Sequence, residues 1–194
     1  MSARRFDAIA IGTSAGGVEA LSRLLPALPK GLGAAVFVVL HLPRHRPSLL
    51  AEIFAPRCAL PVREALDKEP VQPGTVYLAP PDYHLLVDAG PQIALSTDEP
   101  VHYSRPSVDV LFESAADVYG AWLLGIILTG GNEDGAAGLA AVRRAGGMTL
   151  VQQPAEALAP QMPAAALALG PADRVATLEE MARFLGALDA GGAP

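Results

Sequence analysis

Gly12, Ser14 and Gly16 stand in a G-x-S-x-G pattern inside the run Ala8-Ile9-Ala10-Ile11-Gly12-Thr13-Ser14-Ala15-Gly16-Gly17. A serine set among small residues, between an apolar run and an amphipathic stretch, is suited to nucleophilic attack. The small neighbours let the backbone turn sharply and lift the hydroxyl clear. The helix start that follows offers unpaired N–H groups and a positive dipole end, where an oxyanion could form. The same kind of turn also holds phosphate in nucleotide-binding folds, or serves as a plain structural turn. Against a phosphate loop, Val18 and Glu19 stand where G-x-x-x-x-G-K-[ST] would place Lys and Ser or Thr. A dinucleotide fingerprint would end the second strand on an acidic residue, and this chain has His41-Leu42-Pro43-Arg44 there.

Two more residues join the serine. His41 directly follows the apolar run Ala34 to Leu40, and Asp134 lies in the glycine-rich turn after the run Ala121 to Thr129. Near-continuous apolar runs of this length read as strands buried on both faces of a parallel sheet. Beyond the carboxyl ends of such strands lies the crevice where open sheets bind ligands. Serine, histidine and aspartate are the types required for nucleophile, base and orienting carboxylate. Their order, Ser-His-Asp, differs from the Ser-Asp-His of α/β-hydrolases and so implies a different fold. Each also has a simpler role: His41 as a hydrogen-bonded structural histidine, Asp134 as a helix N-cap. His41 and His45 are four apart, but Pro43 breaks any helix between them and no H-E-x-x-H follows, so no metal and no cofactor is expected. Arg44, Arg46 and Arg105 would form a basic lip for an acidic substrate, or else be ordinary surface arginines.

The elements that must position these groups follow an α/β rhythm. Phe6 to Ile11 reads as the first strand, and Val18, Leu21, Leu24, Leu25 and Leu28 recur at helical spacing behind the turn. With the strand at Ala34 to Leu40 they make a βαβ unit, and Pro47 and Ser48 open a short helix through Phe54. Between residues 62 and 104, short strand candidates separated by Pro, Gly and Asp suggest an antiparallel β insertion. Ser107 then caps a helix through Tyr119, with Gly120 beyond its end. Thr149 to Val151 reads as a strand, Pro163 to Leu169 as a short helix, and Thr177 with Glu180 as the capping box of a last helix through Leu188. The expected architecture is one doubly wound, mostly parallel α/β domain over residues 1–194, with its core at about 6–188.

Composition agrees. The 194 residues, 51% hydrophobic and 18% charged, suffice for one sizeable core but not for two ordinary domains. A net charge of −6 and no long basic run argue against nucleic-acid binding. No apolar run approaches a membrane span, and the single cysteine, Cys58, can form no internal disulfide, so a cytoplasmic protein without membrane insertion is expected.

Five segments together resemble the catalytic domain of the chemotaxis protein-glutamate methylesterases, the CheB type: Ile11 to Gly17, His41-Leu42-Pro43, Gly74 to Pro80, Arg105 to Phe112 and Ile127 to Gly138. The resemblance runs from about Ile9 to Pro163. It implies hydrolysis of γ-glutamyl methyl esters on chemoreceptor cytoplasmic helices, with glutamine deamidation in some members. On the matching positions it implies Ser14 as nucleophile, His41 as base, Asp134 as orienting acid, and backbone N–H groups at Ala15 and Gly131 as oxyanion donors. Ala15 stands where a threonine often follows the serine, and Gly131 where a methionine is common. Only seven residues precede Ala8, where the resembled enzymes carry a receiver domain; the expectation is either control by a separate response regulator or histidine kinase, or a catalytic domain cut out of a longer protein. A signalling scaffold or a nucleotide-binding module on the same fold would be the alternatives.

Overall fold

The computed structural model describes residues 5–42 and 47–188. Seven strands, β1 (Ala8–Thr13), β2 (Ala35–Leu40), β3 (Val62–Glu64), β4 (Val76–Leu78), β7 (Leu123–Ile127), β8 (Met148–Gln152) and β9 (Arg174–Ala176), form one sheet in the order β3-β4-β2-β1-β7-β8-β9. Every pairing in it is parallel. A separate antiparallel hairpin joins β5 (His84–Asp88) to β6 (Gln92–Ser96). The antiparallel element is therefore narrower than expected from residues 62–104. Val62–Glu64 and Val76–Leu78 belong to the parallel sheet, because β4 pairs with β2 and β3 completes that edge. Three-residue strands carry too little periodicity to reveal their direction. β9 was likewise not anticipated.

Side chains alternate along β1 and divide the core in two. Ile9 and Ile11 point into the layer made by α1 (Gly17–Leu24) and α6 (Leu178–Gly186), against Leu21, Leu24, Met181 and Leu185. Ala8 and Ala10 face the other layer, with α3 (Val108–Tyr119), α4 (Ala136–Arg144) and α5 (Gln161–Ala168) supplying Leu111, Phe112, Leu139 and Met162. The smallness of that second face has a purpose. A Cβ on Gly12 would lie 2.2 Å from Val108 Cγ1, so only glycine lets the first turn of α3 close onto the end of β1.

The helix ends follow their local chemistry. Ser107 caps α3 by accepting from Val110 N, Gly120 ends it, and Thr177 and Glu180 form a reciprocal capping box on α6. The first helix ends at Leu24 and continues as a 3₁₀ turn, Leu25–Ala27, where Pro26 stands. α2 (Leu50–Phe54) begins after the expected Pro47 and Ser48, although Ser48 Oγ does accept from Leu50 N. Cys58 is half-buried against the core, and burial pushes its thiol pKa up.

Candidate active site

β1 and β2 run parallel with Thr13 opposite Leu40, so the next pair in register is Ser14 and His41. His41 N donates to Thr13 O (3.2 Å), and Ser14 N donates to Thr129 O (2.9 Å) just beyond β7. Neighbouring strands stand about 4.8 Å apart, so strand geometry alone sets the serine and histidine side by side. On the other flank, a Cβ on Gly130 would lie 3.1 Å from Ser14 Cβ and 1.7 Å from Met162 Sδ. Glycine there seats the turn Gly130–Gly131 against the serine. Gly16 takes φ of 80°, the left-handed conformation that a turn of this sharpness requires and that glycine adopts without strain.

Asp134 completes the group. Its Oδ2 lies 2.8 Å from His41 Nε2, and the carboxylate is held on its remaining sides by donors from the start of α3. Ser107 Oγ donates to Oδ1 (2.7 Å), Val108 N to Oδ2 (2.7 Å) and Asp109 N to Oδ1 (3.0 Å). Burial alone would raise this carboxyl's pKa. The bond to His41 and the donors from Val108, Asp109 and Ser107 outweigh it and hold the group below its ordinary value. Asp134 is therefore an ionised acceptor, and His41 Nε2 must carry the proton between them. Nδ1 is left with the free lone pair, which is the atom able to take a proton from a nucleophile.

Ser104 Oγ lies 3.4 Å from that Nδ1 and 3.4 Å from Asn132 Nδ2. Among the described residues no hydrogen bond joins Ser14 Oγ to His41; such contacts commonly tighten only when substrate is bound. Neither Ala15 N nor Gly131 N donates to another described residue, whereas Ser14 N and Gly130 N are spent on Thr129 O and Ala159 O. The two amides expected as oxyanion donors are thus uncommitted, and both residues are exposed.

Arg105 is committed elsewhere. Its guanidinium bonds Asp82 Oδ1 through Nε (3.1 Å) and Nη2 (2.8 Å), and Nη1 reaches the carbonyls of Thr97 and Asp98. It ties down the loop between β6 and α3. Arg44 lies outside the described residues, as do His45 and Arg46. No cluster of metal-ligating side chains occurs among the described residues. His84, buried, accepts from Ser107 N and faces Glu99 O, the satisfied core histidine its apolar surroundings suggest. The helix-cap reading of Asp134 does not hold: Gly135 is the N-cap of α4, and the Asp134 carboxylate serves His41 and α3.

Sequence reasoning found Ser107 as a cap but missed its second bond, to Asp134. It also missed His102, whose ring lies between Asp109 Oδ2 (3.4 Å) and Glu133 Oε1 (3.3 Å) and pins the turn carrying Ser104 over the site. No periodicity marks such residues, because their partners come from distant loops.

A family model described as "CheB methylesterase" matches residues 9–185. A protein-glutamate methylesterase/protein-glutamine glutaminase of Symbiobacterium thermophilum is 42% identical over 174 residues, 90% of this chain and 48% of its own. A Leptospira interrogans protein with a provisional name of the same kind is 41% identical over 184 residues, 95% of both chains. The chain thus spans nearly all of one relative and about half of the other. The crystal structure of the Thermotoga maritima CheB methylesterase catalytic domain superimposes with a TM-score of 0.86 at 32% identity, covering 92% of this chain and 98% of that one.

Proposed function

The chain belongs to the CheB methylesterase family, and from that premise we propose that it removes methyl groups from γ-glutamyl methyl esters on chemoreceptor cytoplasmic helices, and deamidates glutamines there, through Ser14, His41 and Asp134. The observation that carries the reading is the 2.8 Å bond between His41 and a fully buried, ionised Asp134, built beside a serine on a glycine turn.

In this reading His41 Nδ1 takes the proton of Ser14 Oγ as the oxygen attacks the ester carbonyl. The C–O bond to Ser14 forms while the carbonyl electrons move onto oxygen, which receives the N–H groups of Ala15 and Gly131; one good donor of this kind contributes about 3 kcal/mol. Collapse expels methoxide, which leaves as methanol with the proton from Nδ1. Water repeats the sequence on the glutamyl ester of Ser14 and frees the carboxylate. With an amide substrate the first leaving group is ammonia. Asp134 stays ionised throughout and holds Nε2–H, so the ring keeps its basic nitrogen toward the serine. The methyl esters lie on cytoplasmic receptor segments in this reading, so it requires a cytoplasmic enzyme. No helix among the described residues is long and apolar enough to cross a membrane.

Methanol release from a methyl-esterified chemoreceptor cytoplasmic fragment tests the reading, with Ser14→Ala as the comparison. Release by the parent chain, reduced by about 10⁴-fold or more in the variant, is expected. Equal release from both proteins would exclude Ser14, and release from neither would overturn the esterase reading in favour of a scaffold.

A further inference from the structure

Beside Ser14, on the side of the sheet covered by α1 and α6, lies a cavity of about 230 Å³ that the proposed mechanism does not use. The buried residues Thr129 and Gln152 are part of its lining, together with Gly16, Glu19, Glu156 and Leu158 among others. Its lining stands close to the nucleophile: Gly16 is two residues past Ser14, and Thr129 O accepts from Ser14 N. Leu158 is 77% exposed, and its Cβ would stand 2.9 Å from a Cβ on Gly16.

The chemistry of this cavity centres on one atom. Gln152 is 1% exposed, and its Oε1 accepts from Thr129 N at 2.8 Å. Because Thr129 N is a donor, the amide atom facing it is the oxygen, and Nε2 points the other way. Nε2 donates to no other described residue. Every fully buried side-chain nitrogen or oxygen among the described residues does have a partner, so Nε2 is not sealed in the core, and Gln152 is part of the cavity wall.

The other polar side chains there each have a partner. Thr129 Oγ1 donates to Ala15 O and accepts from Ala159 N, Glu156 Oε2 accepts from Leu178 N, and Arg23, another lining residue, pairs with Glu19 at the exposed mouth. The buried group left over is the neutral donor of Gln152, and two carboxylates stand nearby against one guanidinium. An anion is disfavoured, and a neutral acceptor fits. The volume is several times the ~30 Å³ share of one water, enough for a short side chain ending in a carboxamide.

We propose that this cavity is a subsite for a neutral, carbonyl-bearing side chain of glutamine's size, supplied by the substrate segment next to the reacting residue, with Gln152 Nε2 donating to its carbonyl. The proposal rests on the esterase reading in making the occupant part of the substrate. A glutamate in the same place would bring its charge toward Glu19 and Glu156. A leucine would displace water from Nε2 and return no hydrogen bond. Sites built around one buried donor reject occupants that cannot use it.

The first test needs no turnover. N-acetylglutamine amide, titrated into the intact protein, is expected to shift the Gln152 side-chain NH₂ resonances saturably, whereas N-acetylleucine amide, which shares its backbone amides, leaves them unmoved. Equal shifts with both probes, or none with either, would overturn the subsite. The second test uses peptides carrying one glutamate γ-methyl ester with Gln, Glu or Leu beside it. A preference for Gln of about tenfold in kcat/KM over Glu is expected, falling toward one in Gln152→Glu, which keeps the acceptor for Thr129 N but replaces the donor. No preference in the parent chain would count against the proposal. Saturable shifts without methanol release would sink the esterase reading and leave the subsite standing, and release without shifts or preference would do the reverse. If Gln152→Glu does not fold, the titration of the parent chain still decides.

Discussion

Asp134 shows how much one side chain can organise. A buried carboxylate normally resists ionisation, yet here four donors, His41, Ser107 and the amides of Val108 and Asp109, make the charged form the stable one. Asp134→Asn keeps the shape and removes the charge that fixes the Nε2–H tautomer. The expected loss in turnover is about 10⁴-fold, as in the serine proteases when the same change is made, read as kcat for methanol release. The neighbouring Asp109 is set the opposite way: burial pushes its carboxyl up, and the charge of Asp134 adds to that, against donors from Gly138 and Gly135. Its bonds to those two amides make it a brace between α3 and α4.

At the scale of elements, the site depends on the first turn of α3 reaching the end of β1. Ser107 both caps α3 and donates to Asp134. Ser107→Ala removes a cap worth about 1 kcal/mol and a charge-assisted hydrogen bond worth about 2 kcal/mol. Together these should appear as roughly 2–3 kcal/mol in urea unfolding, with a fall in turnover as the carboxylate loses a holder. Gly12→Ala tests the approach itself. Its added methyl would collide with Val108, so overpacking should cost about 1–3 kcal/mol and displace the amides that hold Asp134. Loss of kcat out of proportion to the loss of stability is the expected result, and unchanged kcat would mean that the turn is positioned independently of β1.

For the whole molecule, the two aspartates predict how stability follows pH. Asp134 has a folded-state pKa below its unfolded value near 3.9, so its contribution is fully present above about pH 4 and is lost as the pH falls through the lowered folded value. Asp109 acts in reverse. Between its unfolded value and its raised folded one, the folded state holds a proton that the unfolded chain has released, so its contribution weakens as pH rises through that window. Chemical unfolding from pH 7 to pH 3 should therefore show the difference between the parent chain and Asp134→Asn largest above pH 4 and shrinking in acid. A difference that stayed constant would mean that the Asp134 charge contributes nothing to folding. That β1, β2 and β7 run parallel in one sheet was legible in the chain itself, because strands buried on both faces must be apolar throughout. The placement of Ser14, His41 and Asp134 was legible for the same reason, since each follows the carboxyl end of such a strand, Ser14 and His41 directly and Asp134 at the end of the turn behind β7. Local pattern could not show that β3 and β4 join the parallel sheet, that Arg105 pairs with Asp82, or that Gln152 meets Thr129 N in the wall of a cavity. Each of those depends on a partner brought from a distant part of the chain, and only the packed layers decide which partners meet.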